Sequence, residues 1–212
     1  MINERRLNLL NDVISKRQTN ITVILENVHD THNIGAVVRT CESIGIYEVI
    51  LLYTHEHLKN RKIKIGRRTS AGARKWVEVV RFNDAKLCFE YVKTKYDNVL
   101  ATNLSETAQS IYDIDLTGSI AIMFGNEKEG ITPEALSYVD GNILIPQAGM
   151  VQSLNISVAC SVVLYEAFRQ RKTKGLYGVN NPISKVERKR LFDLYLNRHE
   201  NKHRGYDVEI KS

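Results

Sequence analysis

Long apolar runs, paired cysteines and the common glycine-rich nucleotide motifs are all missing from this 212-residue chain. No stretch approaches the roughly 20 consecutive apolar residues of a membrane-spanning helix, and the start, MINERRLNLLND, is charged where a secretion signal turns apolar. Cys41, Cys88 and Cys160 lie far apart without a C-x-x-C. That spacing suggests neither a disulfide framework nor a zinc ribbon, and it fits a reducing, cytoplasmic setting. Neither G-x-G-x-x-G nor G-x-x-x-x-G-K-[ST] occurs, which disfavours dinucleotide and P-loop binding, and without G-x-S-x-G a serine-hydrolase elbow has no support. Of the histidine pairs His29/His32, His55/His57 and His199/His203, the last has chelating i,i+4 spacing. It sits among Lys and Arg with no carboxylate motif, so no metal site is expected. Repeats and low-complexity segments are absent too.

What is present is an ordinary globular composition, 43% hydrophobic and 25% charged, sized for one domain with peripheral elements. The net charge of +6 is segregated: residues 55–81 carry +7, residues 169–204 carry +8 and the first 20 residues +2, which leaves the rest acidic at −11. Clustered cations on an acidic body suit a polyanion, because neutralising phosphates releases counterions. Nucleic acid is the expected partner.

The apolar pattern predicts an α/β architecture. Leu7, Leu10, Val13 and Ile14 give an amphipathic helix over Asn3–Arg17, and the β-branched run Ile21–Leu25 reads as a strand. A helix follows with Ile34, Val37, Cys41 and Ile44 on one face, ended by Gly45, and then a strand over Tyr47–Tyr53. The alternation continues through WVEVVRF (strand), DAKLCFEYVKTKY (helix), NVLAT and SIAIMF (strands), TPEALSYVD (short helix), NILIP (strand) and a long helix over Leu154–Arg171. Nearly continuous Val, Ile and Leu in strands separated by helices predict a mostly parallel sheet covered on both faces. After Gly175, Gly178 and Pro182, a basic terminal helix is expected to turn Val186, Leu191, Leu194 and Tyr195 toward the body. The expected units are a basic helix at 1–20, a core domain at 21–174 and a basic helical extension at 175–212.

Three loops, each after an expected strand, fall on one edge of such a sheet, where loops can build one site. In Glu26–Thr40, Asn33 is placed to cap the helix and Arg39 lies two turns inside it. In Phe124–Thr132, Gly125 and Gly130 permit a tight loop around Glu127, and in Ile145–Ala159, Ser153 and Asn155 open a long helix whose free N–H groups suit an anion. Their order, N-x-x-x-x-x-R, then FGNE-x-x-G, then IP-x-x-G-x-x-x-SLN-x-S-x-A, resembles the three motifs of the SPOUT methyltransferases. More narrowly it resembles the TrmH type, which methylates a tRNA ribose. The likeness spans about residues 20–171 and includes T-S-x-G-x-x-K-W at Thr69–Trp76.

The resemblance implies a parallel sheet with a deep carboxyl-terminal trefoil knot, a homodimer, and S-adenosylmethionine held by the knot loops. Carried over by position, cofactor contacts fall on Thr102, on Phe124, Gly125, Asn126 and Glu127, and on Ile145, Met150 and Leu154. Asn33, Arg39, Glu127, Ser153 and Asn155 match active-site positions, and Arg169 and Arg171 match positions that face tRNA. Gln147 departs from the family, which carries Met after Ile-Pro. The implied reaction is methylation of a ribose 2′-oxygen, at guanosine-18 of the tRNA D-loop for the TrmH type. Ribosomal RNA, or RNA binding without catalysis, are the alternatives. The family's proposed base is the arginine at Arg39, but a guanidinium stays charged in proteins, so positioning a phosphate is at least an equal role for it. Arg5, Arg6 and Arg17, the stretch from His55 to Lys75, and Arg188, Lys189 and Arg190 are expected to follow RNA phosphates.

Overall fold

The computed structural model describes residues 2–63, 65–66, 69–151, 153–201 and 208–211. Lys64, Arg67 and Arg68 of the basic stretch, Gln152 of the third loop, and Lys202, His203 and Arg204 lie outside the described residues, and the His199/His203 pair with them. In chain order the elements are α1 (Glu4–Ser15), β1 (Ile21–Glu26), α2 (Thr31–Ser43), β2 (Glu48–Leu52), α3 (Glu56–Lys59), a 3₁₀ turn (Ala73–Lys75) and β3 (Glu78–Phe82). There follow α4 (Ala85–Lys93), β4 (Asn98–Thr102), β5 (Gln109–Ser110), β6 (Ile120–Phe124), α5 (Pro133–Leu136), β7 (Gly141–Leu144), α6 (Ile156–Thr173), α7 (Lys185–Glu200) and β8 (Glu209–Lys211).

The strands form one sheet, parallel at every pairing described, in the order β5-β7-β4-β6-β1-β2-β3-β8. Every residue of β1, β2 and β6 is buried, as a sheet covered on both faces requires. The two-residue side-chain period divides these strands between two cores. Val23, Leu25, Val49, Leu51 and Ile122 pack with α2 and α6 on one face, whereas Ile24, Ile50, Leu52, Ala121 and Met123 pack with α4 and α5 on the other. A third cluster joins the chain ends: Leu10 and Ile14 of α1 meet Leu191 and Tyr195 of α7 beside Tyr47.

Local chemistry sets the boundaries. Asp30 caps α2 by accepting from the His32 N–H at 2.8 Å, and Gly45 follows the helix with φ at +88°. Trp76 donates its N–H to the Ala73 carbonyl at 2.7 Å, which holds it in the turn and delays β3 to Glu78. The Pro133 helix lasts a single turn. Ser184 starts α7 by accepting from the Glu187 N–H, and Val186 stays exposed, contrary to the expected apolar face, because Leu191 and Tyr195 define the buried stripe. β5 and β8 were not anticipated. Each is two or three residues long and gains its shape only from a neighbouring strand.

Candidate active site at the carboxyl edge of the sheet

Strand order reverses beside β1: β2 and β3 lie to one side, and β6, β4 and β7 to the other. Ligands of open parallel sheets bind outside the carboxyl ends of strands at such a point. Here loops after β4, β6 and β7 enclose a cavity of about 290 Å³. Phe124, Ile131, Ile143, Ile145, Leu154 and Ile156 supply apolar wall, while Thr102, Asn126, Glu127, Gln147 and Ser153 bring polar groups to it.

The β6 loop is a closed turn. Asn126 donates its N–H to the Gly130 carbonyl at 3.0 Å, and Gly130 returns one to Asn126 at 2.8 Å. The closure leaves no room at Gly125, where a Cβ would stand 2.2 Å from the Gly130 carbonyl carbon. Asn126 also donates its side-chain amide to the Asn27 carbonyl at 3.0 Å, which ties the turn to the end of β1. Glu127 sits at the exposed tip of this turn.

Three of the expected catalytic residues meet there. Asn33 donates Nδ2–H to Glu127 Oε1 at 2.5 Å, and its own Oδ1 accepts from Asn155 Nδ2 at 3.2 Å. Asn155 Oδ1 in turn accepts from the N–H and hydroxyl of Ser157 (2.9 and 2.6 Å), so Asn155 rather than Ser153 caps α6. Asn33 lies inside the first turn of α2, not at its cap, and this frees its side chain to reach Glu127. One polar chain thus links all three loops. Ser153 lines the cavity. Arg39 is exposed on α2 and joins no hydrogen bond or ion pair among the described residues.

Of the residues expected around a cofactor, Thr102, Phe124, Gly125, Asn126, Glu127, Ile145 and Leu154 line the cavity. Met150 does not; it is fully exposed. Gln147, the departure from the family pattern, is a wall residue, as are Ala159, the last residue of the third motif, and Leu104, for which only its place near Thr102 gave any signal.

The basic residues divide. Arg5, Arg188 and Lys189 are exposed without ion-pair partners among the described residues. Arg169 is exposed but paired with Glu166 at 2.7 Å, which holds the Glu166 carboxyl below its usual value. Arg190 is held by Glu78 and Glu187, each at 2.8 Å. Arg17 and Arg171 correct the expectation of surface cations, for both are buried. Arg17 pairs with Glu42 at 3.3 Å and lies over the Tyr195 ring. Arg171 donates to the carbonyls of Leu116, Asn20 and Gly118 and to the side-chain oxygens of Asn20 and Gln18. Around Trp76, Arg6 and Lys75 stack at 5.6 and 4.9 Å from the ring, and Arg198 donates to the Lys75 carbonyl.

A parallel sheet that gathers three polar loops round one cavity at its carboxyl edge defines an α/β enzyme fold with a small-molecule pocket. The chain belongs to the SpoU rRNA Methylase family, whose model matches residues 20–165. It is 41% identical over 174 residues to a tRNA (guanosine(18)-2′-O)-methyltransferase of Thermus thermophilus, covering 82% of this chain and 87% of that one. Among solved structures it resembles the A. aeolicus TrmH/SpoU tRNA modifying enzyme, with TM-score 0.83, 32% identity, and coverage of 95% and 98% of the two chains. It also resembles an AdoMet-bound rRNA methyltransferase from Sinorhizobium meliloti, with TM-score 0.60, 27% identity, and coverage of 76% and 59%.

Proposed function

We propose that this protein transfers the methyl group of S-adenosylmethionine to the ribose 2′-oxygen of guanosine-18 in tRNA. The observation that carries the reading is the Glu127–Asn33–Asn155 chain at the mouth of the cavity. Similarity over 82% of the chain to an enzyme named for that reaction supports the substrate. The residues present fit the cofactor: apolar walls from Phe124, Ile145 and Leu154 suit a purine, and Thr102, Asn126 and Gln147 offer polar groups at the edge. When bound, S-adenosylmethionine supplies an electrophilic methyl on a positively charged sulfur.

The work left to the chain is alignment and exclusion of water. Asn33 and Asn155 fix the Glu127 carboxylate beside the cavity, and Ser153 places a hydroxyl there. Arg39, exposed and without a partner among the described residues, receives the phosphate next to the target ribose and holds its 2′-hydroxyl in line. The exposed cations Arg5 on α1 and Arg188 and Lys189 on α7 carry the remaining phosphate contacts.

The acting form is a cytoplasmic homodimer. α6 turns Val158 and Tyr165 outward seven residues apart, and Met150 and Val151 are exposed nearby. This apolar face supports a second copy as its cover. The test is transfer of labelled methyl to unmodified tRNA transcripts and to ribosomal RNA fragments, with the product mapped. Label at guanosine-18 that disappears in Arg39→Ala supports the reading. Label confined to ribosomal RNA overturns the substrate, and RNA binding without label overturns the catalysis.

A further inference from the structure

Glu26 ends β1 with no exposed surface, in a strand flanked by three strands on one side and four on the other, yet it carries a carboxyl group. Burying such a group is costly unless donors surround it. The donors come from the β6 loop of the site and from the loop after β2. Thr132, at the far end of the β6 turn, gives its N–H to Oε2 at 2.8 Å and its hydroxyl to Oε1 at 2.5 Å, and Thr54, just past β2, gives its hydroxyl to Oε1 at 3.3 Å. The next residue repeats the pattern. Asn27, a non-glycine at φ +53°, accepts on Oδ1 from the N–H groups of Thr54 and His55 and donates Nδ2–H to the Thr54 hydroxyl. Its carbonyl receives the Asn126 amide.

We infer that Glu26 is a positioning residue for methyl transfer, anchoring the base of the β6 turn through Thr132 so that Asn126 and Glu127 are held at the cavity. This rests on the function proposed above. The turn is pinned at both ends: Asn126 is tied to Asn27 from one side and Thr132 to Glu26 from the other. Between these anchors the Asn126–Gly130 pair closes it, Lys128 gives its N–H to Asn126 Oδ1 at 2.8 Å, and Asn33 holds Glu127 at the tip. Without Glu26 the Thr132 N–H loses its acceptor, and the wall formed by Gly125, Asn126, Glu127 and Gly130 keeps its ties at Asn126 and Glu127 but loses the one at its carboxyl end.

The experiment compares Glu26→Met, Thr132→Val and Thr132→Ser with the wild-type chain. In the first two, the Asn126 and Gly130 amides should exchange hydrogen about tenfold faster, while amides of β1 and β2 keep their protection. The dissociation constant for S-adenosylmethionine, by calorimetry, should rise about tenfold and kcat should fall, with KM for tRNA unchanged. Thr132→Ser keeps both donors and should match wild type. Exchange and cofactor affinity unchanged in Thr132→Val, or a lower melting temperature with unchanged kcat, would overturn the assignment. If Glu26→Met does not fold, the two Thr132 variants decide. A wild-type chain that methylates no RNA overturns the functional reading, whereas the exchange comparison still decides whether Glu26 holds the turn.

Discussion

Replacing Arg171 by methionine removes a guanidinium that joins α6 to the segments before β1 and β6. Five oxygens lose a donor: the carbonyls of Leu116, Asn20 and Gly118, and the side-chain oxygens of Asn20 and Gln18. The two side-chain amides can turn to other partners and the Asn20 carbonyl keeps the Ile120 N–H at 3.0 Å, but the Leu116 and Gly118 carbonyls are stranded, and each stranded buried acceptor costs about 2 kcal/mol. Against this stands the cost of burying the cation, which desolvation expresses by pulling the Arg171 pKa down to about 10. Methionine escapes that penalty, worth roughly 3 kcal/mol. The net loss is about 1 kcal/mol, and in a chain of this size it lowers Tm by about 2–4 °C. Scanning calorimetry measures the shift. Salt-dependent tRNA binding at 20 °C, where the variant is folded, should keep the wild-type slope. An unchanged Tm together with a salt slope reduced by about one would refute the buried role and return Arg171 to the RNA surface.

Arg39→Lys keeps the charge but not the fork, and its methyl-transfer kcat should fall about 100-fold if Arg39 aligns a phosphate; near-normal turnover would sink that role. Asn33→Ala and Glu127→Ala remove the two ends of one hydrogen bond, so their effects on kcat/KM should be non-additive by about 1 kcal/mol or more in a double-mutant cycle. The hydroxyl of Thr117, and next to it Lys174, hold the Asp115 carboxyl at about 2, below its ordinary 3.8. A depressed acid stabilises the fold above its unfolded pKa. Asp115→Asn should therefore cost less than about 1 kcal/mol at neutral pH for so exposed a pair, with the difference vanishing as pH falls from about 4 to 2. Tyr165→Glu places a charge on the exposed face of α6 and should give monomers in sedimentation equilibrium; a persistent dimer would put the interface elsewhere.

The strands were legible because Val, Ile and Leu in β1, β2 and β6 repeat a pattern that burial on both faces imposes. The three loops were legible as motifs. That Asn33 reaches Glu127 was not, because the pairing spans 94 residues and depends on β1 lying beside β6. Helix caps failed for a related reason: Asp30, Asn33, Ser153 and Asn155 are all capable caps, and backbone direction alone selects Asp30 and Asn155. Arg17 and Arg171 read as surface cations because charge in a sequence does not reveal which carbonyls a fold will turn inward. Glu26 was named only as the first residue of a loop, since its donors Thr54 and Thr132 are distant in sequence.

The pairing of β1 with β6 joins Ile21 to Ile120 across almost half of the chain. A sheet assembled from such distant partners must close large loops before those contacts repay the entropy, so it forms slowly compared with helical bundles. On the ribosome, β1 and β2 emerge early, but the groove between β1 and β4 stays empty until β6 arrives. Asn33 is then synthesised long before the Glu127 and Asn155 that hold it. A nascent chain released between α2 and α6 carries Asn33 without Asn155, so such a fragment lacks the complete proposed centre.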